Sequence, residues 1–183
     1  MVDDINGLLY SMSERIGAVL VGRGEKLATA ESCTGGWIAK CLTDVAGSSE
    51  WFERGFVTYS NQAKQEMLGV NDATLIADGA VSEATVAEMV QGALCHSTAQ
   101  CALAVSGIAG PGGGTAEKPV GLVWFAWKRV GGRCRSHRQI FEGDREAVRV
   151  QAVQTALQGV LDECVGSGRR MSVRHEPHRP GVR

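Results

Sequence analysis

Apolar and polar residues alternate along this chain in two periods, and together they predict helices and strands taking turns. Ile5, Leu8, Leu9, Met12, Ile16, Val19 and Leu20 recur at 3.6-residue spacing, which predicts an amphipathic helix from residue 3 to about 21, ended near Gly22 or Gly24. The short apolar run 26–30 reads as a strand, after which Trp37, Ile38, Ala39, Cys41, Leu42 and Val45 return to helical spacing. Gly47, Ser48 and Ser49 break that pattern ahead of a second strand over 51–59 and a short helix over 61–68. Ser82 is placed to cap a helix reaching about His96, with Val86, Met89, Val90, Ala93 and Leu94 as its apolar stripe. Residues 101–105 read as a buried strand, and 120–130 and 133–141 as two strands joined at Gly131-Gly132. Asp144 then caps a last helix with Val148, Val153, Leu157, Val160, Leu161 and Cys164 along one side. One α/β domain follows, a mixed sheet covered by helices on both faces.

The bulk properties narrow the class. At 183 residues, 44% apolar and 21% charged, the chain can bury a sizeable core without staples. The net charge of −1 argues against general nucleic-acid affinity, but it is unevenly spread. Residues 166–183 hold five Arg and one acid, leaving fourteen basic and nineteen acidic residues, or −5, for 1–165. With its Gly, Ser and Pro, that stretch reads as a basic, disordered tail following a domain over 1–165. No apolar run approaches the roughly 18 to 20 residues that span a bilayer, and Asp3-Asp4 stand where a basic secretory region would begin, so the expected location is cytoplasmic. The six Cys form no C-x-x-C pair and the four His show no ligand spacing, so neither disulfides nor a metal site is expected.

Three polar clusters at strand ends carry the candidate chemistry. The first, Ala30-Glu31-Ser32-Cys33-Thr34-Gly35-Gly36, puts the Ser32 hydroxyl where a strand turns into a helix. The first N–H groups of that helix have no partner within it, so they point at whatever lies before Ser32, unless Ser32 or Thr34 simply caps the helix. A serine hydroxyl needs a neighbouring base, and no His lies in these loops. Lys64, five residues past Tyr59 in the second cluster, is the candidate, since a lysine withdrawn from water can titrate near pH 7 to 8. The alternative is a solvated Lys64 and a Tyr59 hydroxyl in solvent. Cys33 is a second possible nucleophile, but more simply a small packing residue. The third cluster, Ser106 to Thr115, is a glycine-rich loop that could expose consecutive N–H groups to an anion, though it lacks the Gly-Lys-Ser/Thr ending of a Walker loop. Arg145 and Arg149 could grip a phosphate or carboxylate, or face solvent; spacing does not choose.

Taken in order, A-E-S-C-T-G-G at 30–36, Y-S-N-Q-A-K at 59–64, S-G-I-A-G-P-G-G-G-T at 106–115, K-P-V-G at 118–121 and G-D-R-E-A-V-R at 143–149 resemble the CinA C-terminal domain family over about residues 5–165. The resemblance implies a three-layer α/β/α sandwich, homo-oligomeric and free of cofactors. It further implies a stand-alone form of the family's enzymatic, PncC-type members, which deamidate nicotinamide mononucleotide to nicotinate mononucleotide and ammonia in pyridine nucleotide salvage. Carried over by motif, Ser32 is the nucleophile and Lys64 with Tyr59 the activating pair. Thr34, Gly35 and Gly36 build the oxyanion site, Asn61 and Ser106 line the pocket, and the loop through Gly107, Gly110, Gly112 and Gly113 holds the nucleotide with Arg145. Position 106 is often Thr in the family, so Ser106 is a departure that keeps the hydroxyl. The rival reading is a non-catalytic nucleotide-binding or partner-binding module. A third, nucleic-acid binding through the Arg-rich tail, would require a steep loss of affinity with salt.

Overall fold

The computed structural model describes residues 2–165, and the expectation for the tail falls outside them. Helix α1 (Val2–Arg23) leads into β1 (Leu27–Glu31) and α2 (Trp37–Thr43). Then come β2 (Phe52–Val57), α3 (Asn61–Leu68), α4 (Asp72–Asp78), α5 (Glu83–Cys95) and β3 (Cys101–Gly107), and finally the hairpin β4 (Leu122–Arg129) and β5 (Arg135–Ile140) before α6 (Arg145–Gly159). A π-helical turn over Val160–Val165 extends α6.

The five strands lie in the order β2-β1-β3-β4-β5, with β2, β1 and β3 parallel and β4 and β5 antiparallel. Strand alternation divides the core. Leu27, Leu103, Val105, Val123, Phe125 and Trp127 face α1, α2 and α6 in one apolar cluster. Ala28, Ala30, Ala102, Ala104 and Ala126 face Val86, Met89, Val90 and Ala93 of α5 in the other. This is the three-layer α/β/α sandwich with a mixed sheet. No helix among the described residues is long and apolar enough to cross a membrane.

Three details differ from the sequence pattern. The α1 stripe is narrower than expected, since Leu9, Met12, Ile16 and Leu20 are buried while Leu8 is 42% exposed. Helix α4 has only seven residues, too few to show a period. Cys95, which directly follows Ala93 and Leu94 of the α5 apolar stripe, is exposed.

The alanine face lets α5 lie close to the sheet, and α3 in turn lies close to α5. Gly92 makes that second approach possible, because a Cβ there would stand 2.0 Å from the Leu68 carbonyl oxygen at the end of α3. Gly92→Ala is therefore expected to lower stability by about 1–3 kcal/mol through overpacking, despite the better helix propensity of Ala. It should also reduce whatever activity depends on α3; thermal melts and turnover of the variant check both.

Topology brings the functional loops together. Parallel β2, β1 and β3 all end at one edge of the sheet, where α/β sheets bind ligands. Antiparallel β4 starts at that edge opposite Gly107, and β5 returns to it at Ile140, so α6 also begins there.

Candidate active site

Ser32 follows directly on β1, and its backbone N–H donates to the Val105 carbonyl of β3 at 3.0 Å. Across the edge, Ser60 caps α3 by accepting from the Ala63 N–H at 3.0 Å, which aims the inward side of α3 at β1. Lys64 is on that side and is only 1% exposed. Its Nζ lies 3.0 Å from Ser32 Oγ and donates to the Thr58 carbonyl at 2.8 Å. No carboxylate pairs with it among the described residues, and burial holds the amine down, at about 8 instead of 10.5. At pH 7 about a tenth of this amine is therefore unprotonated, far more than for a lysine in water. Such an amine has a lone pair to receive the Ser32 proton while one N–H stays fixed on Thr58.

Cys33, next to Ser32, behaves differently. Burial pushes its thiol up to about 12, so it holds its proton at neutral pH and lacks the thiolate that a nucleophilic Cys needs.

The turn after Ser32 is organised by Glu31, whose carboxylate is fully buried. It accepts from Thr34 Oγ1 at 2.7 Å, the Gly36 and Ile38 N–H groups at 3.0 Å each, and the Ala39 N–H at 2.8 Å. Gly36 begins α2 at φ +95°, a conformation that favours glycine. The N–H groups expected to face a ligand are thus already taken by a side chain from the preceding strand. Gly35 N–H is also engaged, donating to the Ser32 carbonyl at 3.0 Å. As donors for an incoming oxyanion, Gly35 and Gly36 are therefore excluded, and Thr34 is excluded through its hydroxyl. Among the described residues the Cys33 and Thr34 N–H groups make no hydrogen bond to another residue; Cys33 lines the cleft, whereas Thr34 is fully buried.

Ser32, Cys33, Tyr59, Lys64, Ser106 and Arg145 line one cleft of about 220 Å³, together with Ala80, Val81, Gly107 and Ala109. Arg145 reaches in from the first turn of α6 and donates to the Gly110 carbonyl at 2.8 Å and to Tyr59 Oη at 2.9 Å. Both acceptors are neutral, and no carboxylate pairs with this guanidinium among the described residues. A larger cavity of about 600 Å³ between β5 and α6 is lined by Trp127, Phe141, three glutamines, Thr155, Arg135 and two acids, with Ser136 and His137 adjacent on β5, and the Ser136 hydroxyl is spent on Glu83.

With this geometry in view, residues 9–164 match the family described as CinA C-terminal domain. The chain belongs to the CinA C-terminal domain family. It is 57% identical over 150 residues to the Escherichia coli K12 protein named nicotinamide-nucleotide amidohydrolase PncC, spanning 82% of this chain and 91% of that one. A Pseudomonas putida protein of the same name is 52% identical over 84% of this chain and 95% of its own length. Among solved structures, the competence/damage inducible protein CihA of Agrobacterium tumefaciens superposes with a TM-score of 0.82 at 48% identity, covering 84% of this chain and 94% of that one.

Not every residue singled out by the CinA motifs enters the cleft. Asn61 is exposed at the start of α3, and Gly112 and Gly113 lie on the exposed part of their loop; none of the three is among the lining residues. Gly107 lines the cleft, whereas Gly110 contributes a carbonyl to Arg145. Ser106 spends its hydroxyl on the Ala80 carbonyl at 2.7 Å, tying β3 to the segment before α5. Tyr59 lines the cleft but bonds Arg145 rather than the Lys64 amine, because α6 rather than α3 presents a donor to its hydroxyl. Arg149 is half-buried and grips carbonyls instead of an anion: it donates to the Cys33 carbonyl at 3.1 Å and the Thr34 carbonyl at 2.9 Å. Glu31 has a place in the site that the motif reading left unassigned. The available signal was an acid at the end of an otherwise apolar strand.

Proposed function

We propose that this chain is a nicotinamide-nucleotide amidohydrolase that converts nicotinamide mononucleotide to nicotinate mononucleotide and ammonia. The observation that carries the reading is the 3.0 Å approach of the Lys64 amine to the Ser32 hydroxyl at the buried end of a cleft that also holds an uncompensated Arg145. The likeness to the named amidohydrolases supports the substrate.

In this mechanism Ser32 Oγ attacks the carboxamide carbon as neutral Lys64 takes its proton. The resulting oxyanion is received by the Cys33 N–H, which is fixed before the reaction begins. Collapse expels ammonia with the proton from Lys64 and leaves an ester on Ser32. Water then attacks the ester, Lys64 accepts the water's proton, and Ser32 leaves with that proton as nicotinate mononucleotide forms. Arg145 pairs with the phosphate, and Tyr59 fixes the guanidinium and forms a wall beside the substrate. No step requires a metal or cofactor. The same reading makes residues 1–165 the amidohydrolase domain of a cytoplasmic homo-oligomer serving pyridine nucleotide salvage.

The test is ammonia release from nicotinamide mononucleotide by purified protein, with wild type and Ser32→Ala side by side. Wild type is expected to turn over without added metal, and Ser32→Ala to lose activity while still binding the nucleotide in calorimetry. Undiminished turnover by Ser32→Ala would overturn the assignment of the nucleophile. Tight binding by wild type without product would instead favour a binding module.

A further inference from the structure

Arg149 is half-buried on α6 and has no substrate-facing position, yet its guanidinium spans the two consecutive carbonyls of the turn behind the nucleophile. It also lies over the Trp37 ring, 5.2 Å from the centroid, which fixes its plane. Resting on the amidohydrolase reading above, we propose that Arg149 is a positioning residue that locks the turn carrying Ser32 and the Cys33 N–H, its oxyanion donor.

The argument is geometric. In a trans peptide the C=O and N–H point in opposite directions, so a force that holds one carbonyl aims the N–H of the next residue the other way. Arg149 draws the Cys33 carbonyl toward α6. The Thr34 N–H of the same peptide is thereby turned from α6. Glu31 belongs to the sheet face that packs on α2 and α6, and Ser32, one residue on, sends its side chain to the opposite face, where Lys64 of α3 stands. Cys33 lines the cleft on that reacting side, whereas Thr34 is fully buried, so the Cys33 N–H is the donor that the locked turn presents. Holding the Thr34 carbonyl as well does the same to the Gly35 N–H, but that group is consumed by the Ser32 carbonyl, which stops the turn from rotating. The Ser32 carbonyl, held by that bond, aims the Cys33 N–H of its own peptide the other way, toward the cleft that Cys33 lines.

Two carbonyls need two N–H donors held at a set spacing. A guanidinium supplies them from Nε and one terminal nitrogen, whereas an ammonium cannot bridge them in the same plane. Lysine at 149 keeps the charge without the bridge, which separates positioning from electrostatics.

The experiment compares wild type, Arg149→Lys and Arg149→Ala on nicotinamide mononucleotide. It adds inhibition by pyridine-3-boronic acid, which forms a tetrahedral adduct on a serine, and rescue by guanidinium chloride at non-denaturing concentrations. Loss of one oxyanion donor lowers kcat by about 10²–10³-fold. Both variants are expected to show such a loss with KM within a few-fold of wild type, and the inhibition constant for the boronic acid should rise in step with the loss in kcat/KM. Guanidinium should restore part of the Arg149→Ala turnover and none of the Arg149→Lys turnover. Wild-type kcat in Arg149→Lys, or boronic acid inhibition unchanged in variants that have lost turnover, would overturn the proposal. Should Arg149→Ala fail to fold, Arg149→Lys alone decides between these outcomes. Failure of the amidohydrolase reading is separately visible, as absence of ammonia from wild type.

Discussion

Lys64→Met is expected to lower kcat for nicotinamide mononucleotide by about 10²–10⁴-fold and to leave KM within a few-fold of wild type, the pattern of a proton-transfer group lost without loss of binding contacts. Met nearly matches the length of the lysine stem and keeps the site filled, but it offers Ser32 no lone pair. In wild type, kcat/KM should rise with pH as the Lys64 amine loses its proton near pH 8, falling about tenfold per unit below that point if one neutral amine is required. A rate profile flat from pH 6 to 9, measured with a coupled ammonia assay, would remove Lys64 as the base.

The same substitution has a stability effect with its own sign. The folded amine titrates near 8 and the unfolded one near 10.5. Below pH 8 both states are protonated, and the folded state carries the full cost of a buried ammonium. Between 8 and 10.5 the unfolded chain binds more protons, so wild-type stability rises with pH. Lys64→Met has no such group. Its melting temperature relative to wild type should be most favourable below pH 8 and decline toward pH 10.5, partly offset at every pH by the Thr58 carbonyl left without its donor. A difference that grows with pH would contradict the assigned burial of this amine.

Glu31→Ala should be the most damaging change to the fold near the site. It leaves the Gly36, Ile38 and Ala39 N–H groups without their acceptor, at about 1–3 kcal/mol for each buried group. Against a total stability of about 5–15 kcal/mol, the variant should melt about 10 °C or more below wild type or accumulate as insoluble protein. Glu31→Gln is milder, because an amide oxygen can take the place of the carboxylate oxygen that accepts three of the bonds, and only the Ala39 contact meets an opposing NH₂. Both variants should lose turnover together with stability, since the turn that presents Ser32 is the one Glu31 holds. A soluble Glu31→Ala protein with wild-type melting and activity would show that water replaces the carboxylate at no cost, contrary to the burial of this side chain.

Much of the fold was legible in the sequence because its signals are local. The caps at Ser82 and Asp144 both accept the N–H three residues on, as their residue types favour. Helix α3 spans Asn61–Leu68, the bounds read from the sequence. Helix α4 was not legible, since seven residues cannot display a period and Asn71 makes no cap bond. In the site, Ser32 stood out because a hydroxyl at a strand-to-helix turn is a local feature. Lys64 was the candidate base because no histidine lies in these loops. What failed were the statements that depended on who reaches a hydrogen-bonding group first: the α2 amides went to Glu31, and the Tyr59 hydroxyl went to Arg145.

By itself, then, the order of residues determined which segments become helix or strand, that the chain falls in the CinA C-terminal domain family, and which three loops carry polar chemistry. Only the tertiary structure decided that β1 lies between β2 and β3, so that an alcohol and an amine 32 residues apart meet at 3.0 Å, and that α6 sends one arginine into the cleft and another behind it. The reason is that periodicity and capping act over a few residues. Desolvation of an amine and competition for a free N–H depend on every group that packing brings near.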